Sequence, residues 1–173
     1  NIPRGESYVH VAYKLLTTEG VQTMSDLSFD FDPSYQNFIL LHISIHRDGQ
    51  LIDKIPRADA IRTIQREQSM DRYLYDGSFT AIINLTDVRV GDIVEYAYTR
   101  KGENPVFEGH IGRKIYFSYN FAYEKLFERL IVPPSPLLNL KYRNVDVKPE
   151  IKITSAGKEY IWSQKRTNAY VAD

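Results

Sequence analysis

The segment from Leu85 to Pro105 constrains the fold more than any other part of the chain. Within it Val94, Tyr96 and Tyr98 alternate with Ile93, Glu95, Ala97 and Thr99, the period of two expected of a strand with one buried and one wet face. Val90-Gly91-Asp92 supplies a tight turn before this run, and Gly102-Glu-Asn-Pro105 closes it. The segment reads as structure, a strand, a turn and a second strand, and not as an active site.

The same alternation recurs along the chain. Val9, Val11, Tyr13 and Leu15 alternate with Tyr8, His10, Ala12 and Lys14. From Phe38 to His46 the pattern predicts Ile39, Leu41, Ile43 and Ile45 on one face and Leu40, His42, Ser44 and His46 on the other. Asp48-Gly49 follows, a strong hairpin signal because the turn needs positive φ values that Gly takes without strain. Leu51 to Ile55 is therefore expected to return antiparallel. Asp26 to Tyr35 carries Leu27, Phe29 and Phe31 and reads as a short strand stopped at Asp32-Pro33. Tyr73 to Tyr75 is a short strand closed by Asp76-Gly77, after which Phe79, Ala81, Ile83 and Leu85 share a face.

Other stretches leave alternatives open. Pro56 to Asp71 fits a short amphipathic helix through Ile61 and Ile64, or an edge strand through Arg62, Ile64 and Arg66. Val106 to Phe121, aromatic and interrupted by Gly109 and Gly112, reads as one bent strand or two. Tyr123 to Val132 fits helix or strand by its spacing. Leu138 to Val147, Glu150 to Thr154 and Lys158 to Gln164 complete the strands, the last two joined by a hairpin at Ser155-Ala156-Gly157. Turn signals at intervals of about eight to twelve residues predict an all-β, antiparallel β-sandwich of roughly ten or more strands with at most short helical turns. With no internal repeat, low-complexity tract or linker, residues 1–173 read as a single domain.

Composition agrees with this class. The chain has 13 Tyr and 8 Phe beside two Met and one Trp, and flat aromatic rings pack well on pleated, half-buried surfaces. Lys plus Arg and Asp plus Glu both number 22, so no net field draws the chain to nucleic acid or an anionic membrane. Zero cysteines exclude a disulfide framework, a thiolate metal site and a thiol nucleophile. No apolar run approaches the roughly 18 residues of a spanning helix. The chain begins Asn1-Ile-Pro without an initiator Met or a basic leader, which reads as a processed or trimmed N-terminus.

The residues that carry chemistry are sparse. There is no Gly-x-Ser-x-Gly elbow and no His-Glu-x-x-His helix, so no catalytic residue and no metal ligand is assigned, and no cofactor is expected. His42 and His46 lie four residues apart, which along a straight strand separates them by about 13 Å; they read as two solvent-facing imidazoles. Asp26, Asp30 and Asp32 resemble a loose calcium loop but lack its Gly and Glu, and read as turn and edge carboxylates. Asn84-Leu85-Thr86 matches a glycosylation sequon inside an expected strand. The polar and aromatic concentration to watch for binding is Arg66, Glu67, Asp71, Tyr73, Tyr75 and Asp76, where rings could stack on sugars and charges orient a polar ligand. Read blandly, the same residues are a sheet surface with cross-strand ion pairs. Tyr116, Phe117, Tyr119, Phe121 and Tyr123 read as core, since Phe117, Phe121 and Tyr123 share a face with Ile115 at strand spacing.

Several short motifs occur together: Arg47-Asp48-Gly49 with Ile52-Asp53, Gln65-Arg66-Glu67, Tyr75-Asp76-Gly77, Val88-Arg89-Val90-Gly91-Asp92-Ile93 with Glu95-Tyr96, Asn104-Pro105, and Tyr160-Ile161-Trp162. Together they resemble the uncharacterised domain found N-terminal to transglutaminase-like domains in exported bacterial proteins, especially those of Bacteroidetes. The resemblance covers most of the chain and favours strand over helix for Tyr123 to Val132. It implies the N-terminal part of a longer protein, periplasmic or on the cell surface with its signal peptide removed. It also implies a noncatalytic accessory domain that positions or gates the following transglutaminase-like cysteine-protease domain, to which the catalytic Cys, His and Asp belong. A second reading is a glycan- or peptide-binding module, motivated by the Tyr-rich surface. An independent hydrolase built from His and carboxylates has the least support.

Overall fold

The computed structural model describes residues 5–57, 60–65, 77–108, 112–133 and 138–169. The chain forms two compact units, Ile2–His110 and Ile111–Asp173. The larger unit holds β1 (Glu6–Lys14), α1 (Thr18–Ser25), β2 (Asp26–Phe31), β3 (Asn37–Arg47), β4 (Gln50–Asp53), β5 (Arg62–Gln65), β6 (Phe79–Asn84) and β7 (Ile93–Lys101). Its strands form two antiparallel sheets, ordered β1-β7-β3-β4 and β2-β6-β5. The smaller unit holds β8 (Tyr123–Val132), β9 (Glu150–Thr154) and β10 (Gly157–Thr167) in one antiparallel sheet, ordered β8-β10-β9. The fold is all-β, with ten strands and one short helix among the described residues.

The two sheets of the larger unit face each other across one core. Leu27 and Phe29 of β2 and Ala81 and Ile83 of β6 meet Ile43 and Ile45 of β3 and Val94 and Tyr98 of β7, all buried. Phe29 is the aromatic hub: it stacks on Phe38 at 5.0 Å between ring centroids and meets Tyr98 edge-on, also at 5.0 Å. Both geometries are favoured by the ring quadrupole. Asp48 and Gly49 both take positive φ, the pairing of a two-residue hairpin turn whose twist matches the flanking strands.

Strand β3 departs from simple alternation. Its register on β7 shifts between Leu40, opposite Tyr98, and His42, opposite Ala97. A β-bulge at Leu41 inserts one residue and reverses the facing of everything before it. Ile43 and Ile45 enter the core as expected, but Ile39 and Leu41 do not: they are 40% and 44% exposed, while Leu40 packs against the core.

Five other stretches settle or correct the sequence reading. Thr18–Ser25 is helical; the Thr17 hydroxyl oxygen caps it by accepting from the Gly20 backbone N–H at 3.1 Å. Arg62–Gln65 is an edge strand on β6, and Tyr123–Val132 is a strand paired with β10 along its length. Among the described residues of 106–121 no strand forms: Pro105–Phe107 is a 3-10 turn, and in 112–122 the chain bends at Phe117 and at Asn120–Phe121. There Tyr119 and Phe121 stack on each other at 5.1 Å with Phe121 exposed, so these aromatics pack side by side and do not bury a sheet face. Leu138 to Val147 also forms no strand, because Asn144 takes positive φ and breaks the extended run. At the β9–β10 turn Gly157 is required, since a Cβ there would lie 2.2 Å from the Val132 carbonyl oxygen.

Removing a core side chain leaves a cavity that the packed sheets cannot fill. Ile45→Ala is expected to destabilise the protein by about 2–5 kcal/mol. Leu51→Ala, at a 67% exposed position, is expected to stay within about 0.5 kcal/mol of the parent. Urea titrations of the two variants check this ordering.

Candidate functional site

β7 lies between β1 and β3, and its outward residues therefore have neighbours on both sides. Glu95 stands opposite Ala12 on β1 and Ser44 on β3. Ala97 stands opposite His10 on one side and His42 on the other, and Ile93 opposite His46. All these side chains point to the face turned away from the core, since Val94 and Tyr98 on the same strand are buried in it. Three imidazoles thus surround one carboxylate.

The contacts are close. Glu95 Oε1 lies 2.6 Å from His10 Nε2 and 3.7 Å from His42 Nε2, and Glu95 Oε2 is hydrogen-bonded to His46 Nε2. The His10 and His42 rings sit edge to face, 5.5 Å apart. Ala97 and Ser44 are buried beneath this cluster, and their small side chains leave room for the rings. The hydrogen bonds from His46 and then His10 hold the Glu95 carboxyl below the usual carboxylate range, so it is ionised at neutral pH. An anionic oxygen with imidazole nitrogens converging on it can bind a cation or hold a protonated imidazole.

A second polar cluster joins two of the sequence motifs. Arg47, at the end of β3, donates from Nε and Nη2 to the two carboxylate oxygens of Asp92, each at 2.8 Å. It also donates from Nη1 to Asp87 Oδ2 at 2.9 Å and from Nη2 to the Asp87 carbonyl at 2.6 Å. Asp92 accepts from the Arg89 backbone N–H at 2.8 Å, and the Arg89 side chain returns to Asp87. Asp92 is 2% exposed, and the Arg47 guanidinium holds its carboxyl below the ordinary aspartate range. Arg47, Asp48, Arg89, Val90, Gly91 and Asp92 line an open depression. The planar guanidinium matches a carboxylate at two points, so this pair fixes geometry as well as charge.

The residues singled out for binding, Arg66, Glu67, Asp71, Tyr73, Tyr75 and Asp76, lie outside the described residues. Asp30 accepts from the Thr80 hydroxyl at 2.6 Å and Asp32 from the Ser34 backbone N–H at 2.9 Å, as edge and turn carboxylates do. Asn84, of the sequon, donates to Asp26 on the neighbouring strand. His42 and His46 do point away from the core, but Glu95 sits opposite the residue between them and reaches both. The sequence held a usable signal: His10, His42, His46 and Glu95 all fall on the polar phase of their strands. Missing was the order β1-β7-β3, which unites strands distant in the chain.

Comparison with known proteins follows the fold. No curated protein matches the chain. A crystal structure of a Parabacteroides distasonis protein, described as "a putative protease", superposes on 97% of this chain with a TM-score of 0.77 and 13% identity. The matched part is 33% of that protein, so this chain spans about a third of its length. At this identity the likeness is one of fold. A family model, described as a domain of unknown function with solved structure (DUF3857), matches residues 3–171.

The Arg47–Asp92 clamp carries a pH signature. A carboxyl whose folded pKa is depressed stabilises the fold above its unfolded value, near pH 4, and loses that contribution as the pH falls through the folded value. Asp92→Asn is therefore expected to be less stable than the parent at pH 7, with the gap closing below about pH 4. Thermal melts across pH check this; a gap of constant size would contradict it.

Proposed function

This chain belongs to the DUF3857 family, and from that premise we propose that it is a noncatalytic accessory domain that positions or gates a transglutaminase-like cysteine-protease domain downstream in the same protein. The supporting observation is the proportion of the structural match: nearly the whole chain corresponds to a third of a longer protein described as "a putative protease". The fold there is one part of a larger whole. This chain has no cysteine, so a thiol nucleophile would have to come from elsewhere in the protein. Its two polar clusters join basic side chains to carboxylates, Glu95 in one and Asp92 in the other. A domain of this kind acts by offering a surface. The same reading locates the protein outside the cytoplasm, in the periplasm or on the cell surface.

The coding sequence beyond Asp173 is expected to continue into a domain bearing Cys, His and Asp. Deleting residues 3–171 from that protein is expected to lower its peptidase kcat/KM by about tenfold or more, with titration of the reactive thiol unchanged. A stop codon directly after Asp173, or full activity after the deletion, would contradict the reading. Binding of glycans or cell-wall peptides by the isolated chain would favour a recognition module instead.

A further inference from the structure

We propose that His10, His42 and Glu95 form a binding site for a divalent transition-metal ion of the zinc class. Their ligand atoms lie within 4.8 Å of one another. Tetrahedral coordination at about 2.0–2.2 Å sets ligand atoms roughly 3.3 Å apart, and the separations of 2.6 and 3.7 Å from Glu95 Oε1 bracket that value. The three ligands come from β1, β3 and β7, whose mutual register is fixed residue by residue, so the strands pre-organise the site.

Ligand chemistry favours a cation. Three imidazole nitrogens converge on the single carboxylate of Glu95. A neutral imidazole offers one nitrogen lone pair, so His10 and His42 can each supply one ligand and Glu95 Oε1 the third. Two imidazoles and one carboxylate suit zinc and its transition-metal neighbours; calcium and magnesium prefer all-oxygen sites. His46 completes the arrangement from behind. It bonds Glu95 Oε2, the oxygen left over when Oε1 takes the metal, and such outer contacts orient ligating carboxylates. His10 and His42 are 46% and 41% exposed, which leaves a coordination position open to water. The inference stands on the geometry of this sheet and is independent of the proposed accessory role.

Isothermal titration of the chelator-treated full chain with ZnCl2 is expected to show saturable binding of one equivalent. His10→Ala, His42→Ala and Glu95→Gln should each weaken binding by about a hundredfold or more, and His46→Ala, which acts from behind, by about tenfold. Zinc should raise the Tm of the parent and leave that of the His10→Ala/His42→Ala double variant unmoved. Should a variant fail to fold, imidazole nitrogen NMR of the parent decides: zinc must shift the Nε2 resonances of His10 and His42. No saturable zinc binding by the parent, unshifted His10 and His42 resonances, or undiminished binding by the double variant would each overturn the proposal.

Discussion

The register of β7 between β1 and β3 is the constraint on which the larger unit depends. Val94 and Tyr98 enter the core from one face of this strand, while Glu95 meets three histidines on the other. With a side-chain period of two, a slip of one residue would exchange these faces. It would bury the Glu95 charge among apolar side chains and push Val94 into water, both strongly unfavourable. The core and the histidine cluster are thus two consequences of one alignment. The Arg47–Asp92 clamp secures it at one end, tying the turn that leads into β7 to the hairpin that leaves β3.

This clamp also gives a physical reason for two motifs distant in the sequence. Arg47-Asp48-Gly49 makes a hairpin and Val90-Gly91-Asp92 makes a turn, and each could be read as local punctuation. In the fold the arginine of the first grips the aspartate of the second, with Asp87 and Arg89 closing the network. Ion pairs on open surface contribute little to stability. This one differs because Asp92 is almost wholly buried, so losing its partner would strand a charge.

Much of the fold was legible in the sequence, for a local reason. The strands around Val9, Ile43, Ile83 and Val94 announce themselves by strict alternation, and Asp48-Gly49 by the backbone angles its turn demands. Errors arose where local pattern and tertiary context part company. One inserted residue at Leu41 reverses the facing of Ile39 without leaving a mark in composition. The aromatics from Tyr116 to Phe121 carry strand propensity, but the chain bends there, and Asn144 interrupts a stretch that otherwise reads as extended. The histidine cluster was legible in its parts alone. Each member sits on the expected face, yet their meeting depends on a strand order that brings residues 10, 42 and 95 together.

Cross-strand NOE spectroscopy of the protein in solution measures this alignment most directly. The account predicts contacts placing Glu95 opposite Ala12 on one side and Ser44 on the other, in the same molecule. Contacts that instead set Glu95 against Val11 or Ile43 would contradict it, and with it both the core packing and the convergence of the histidines.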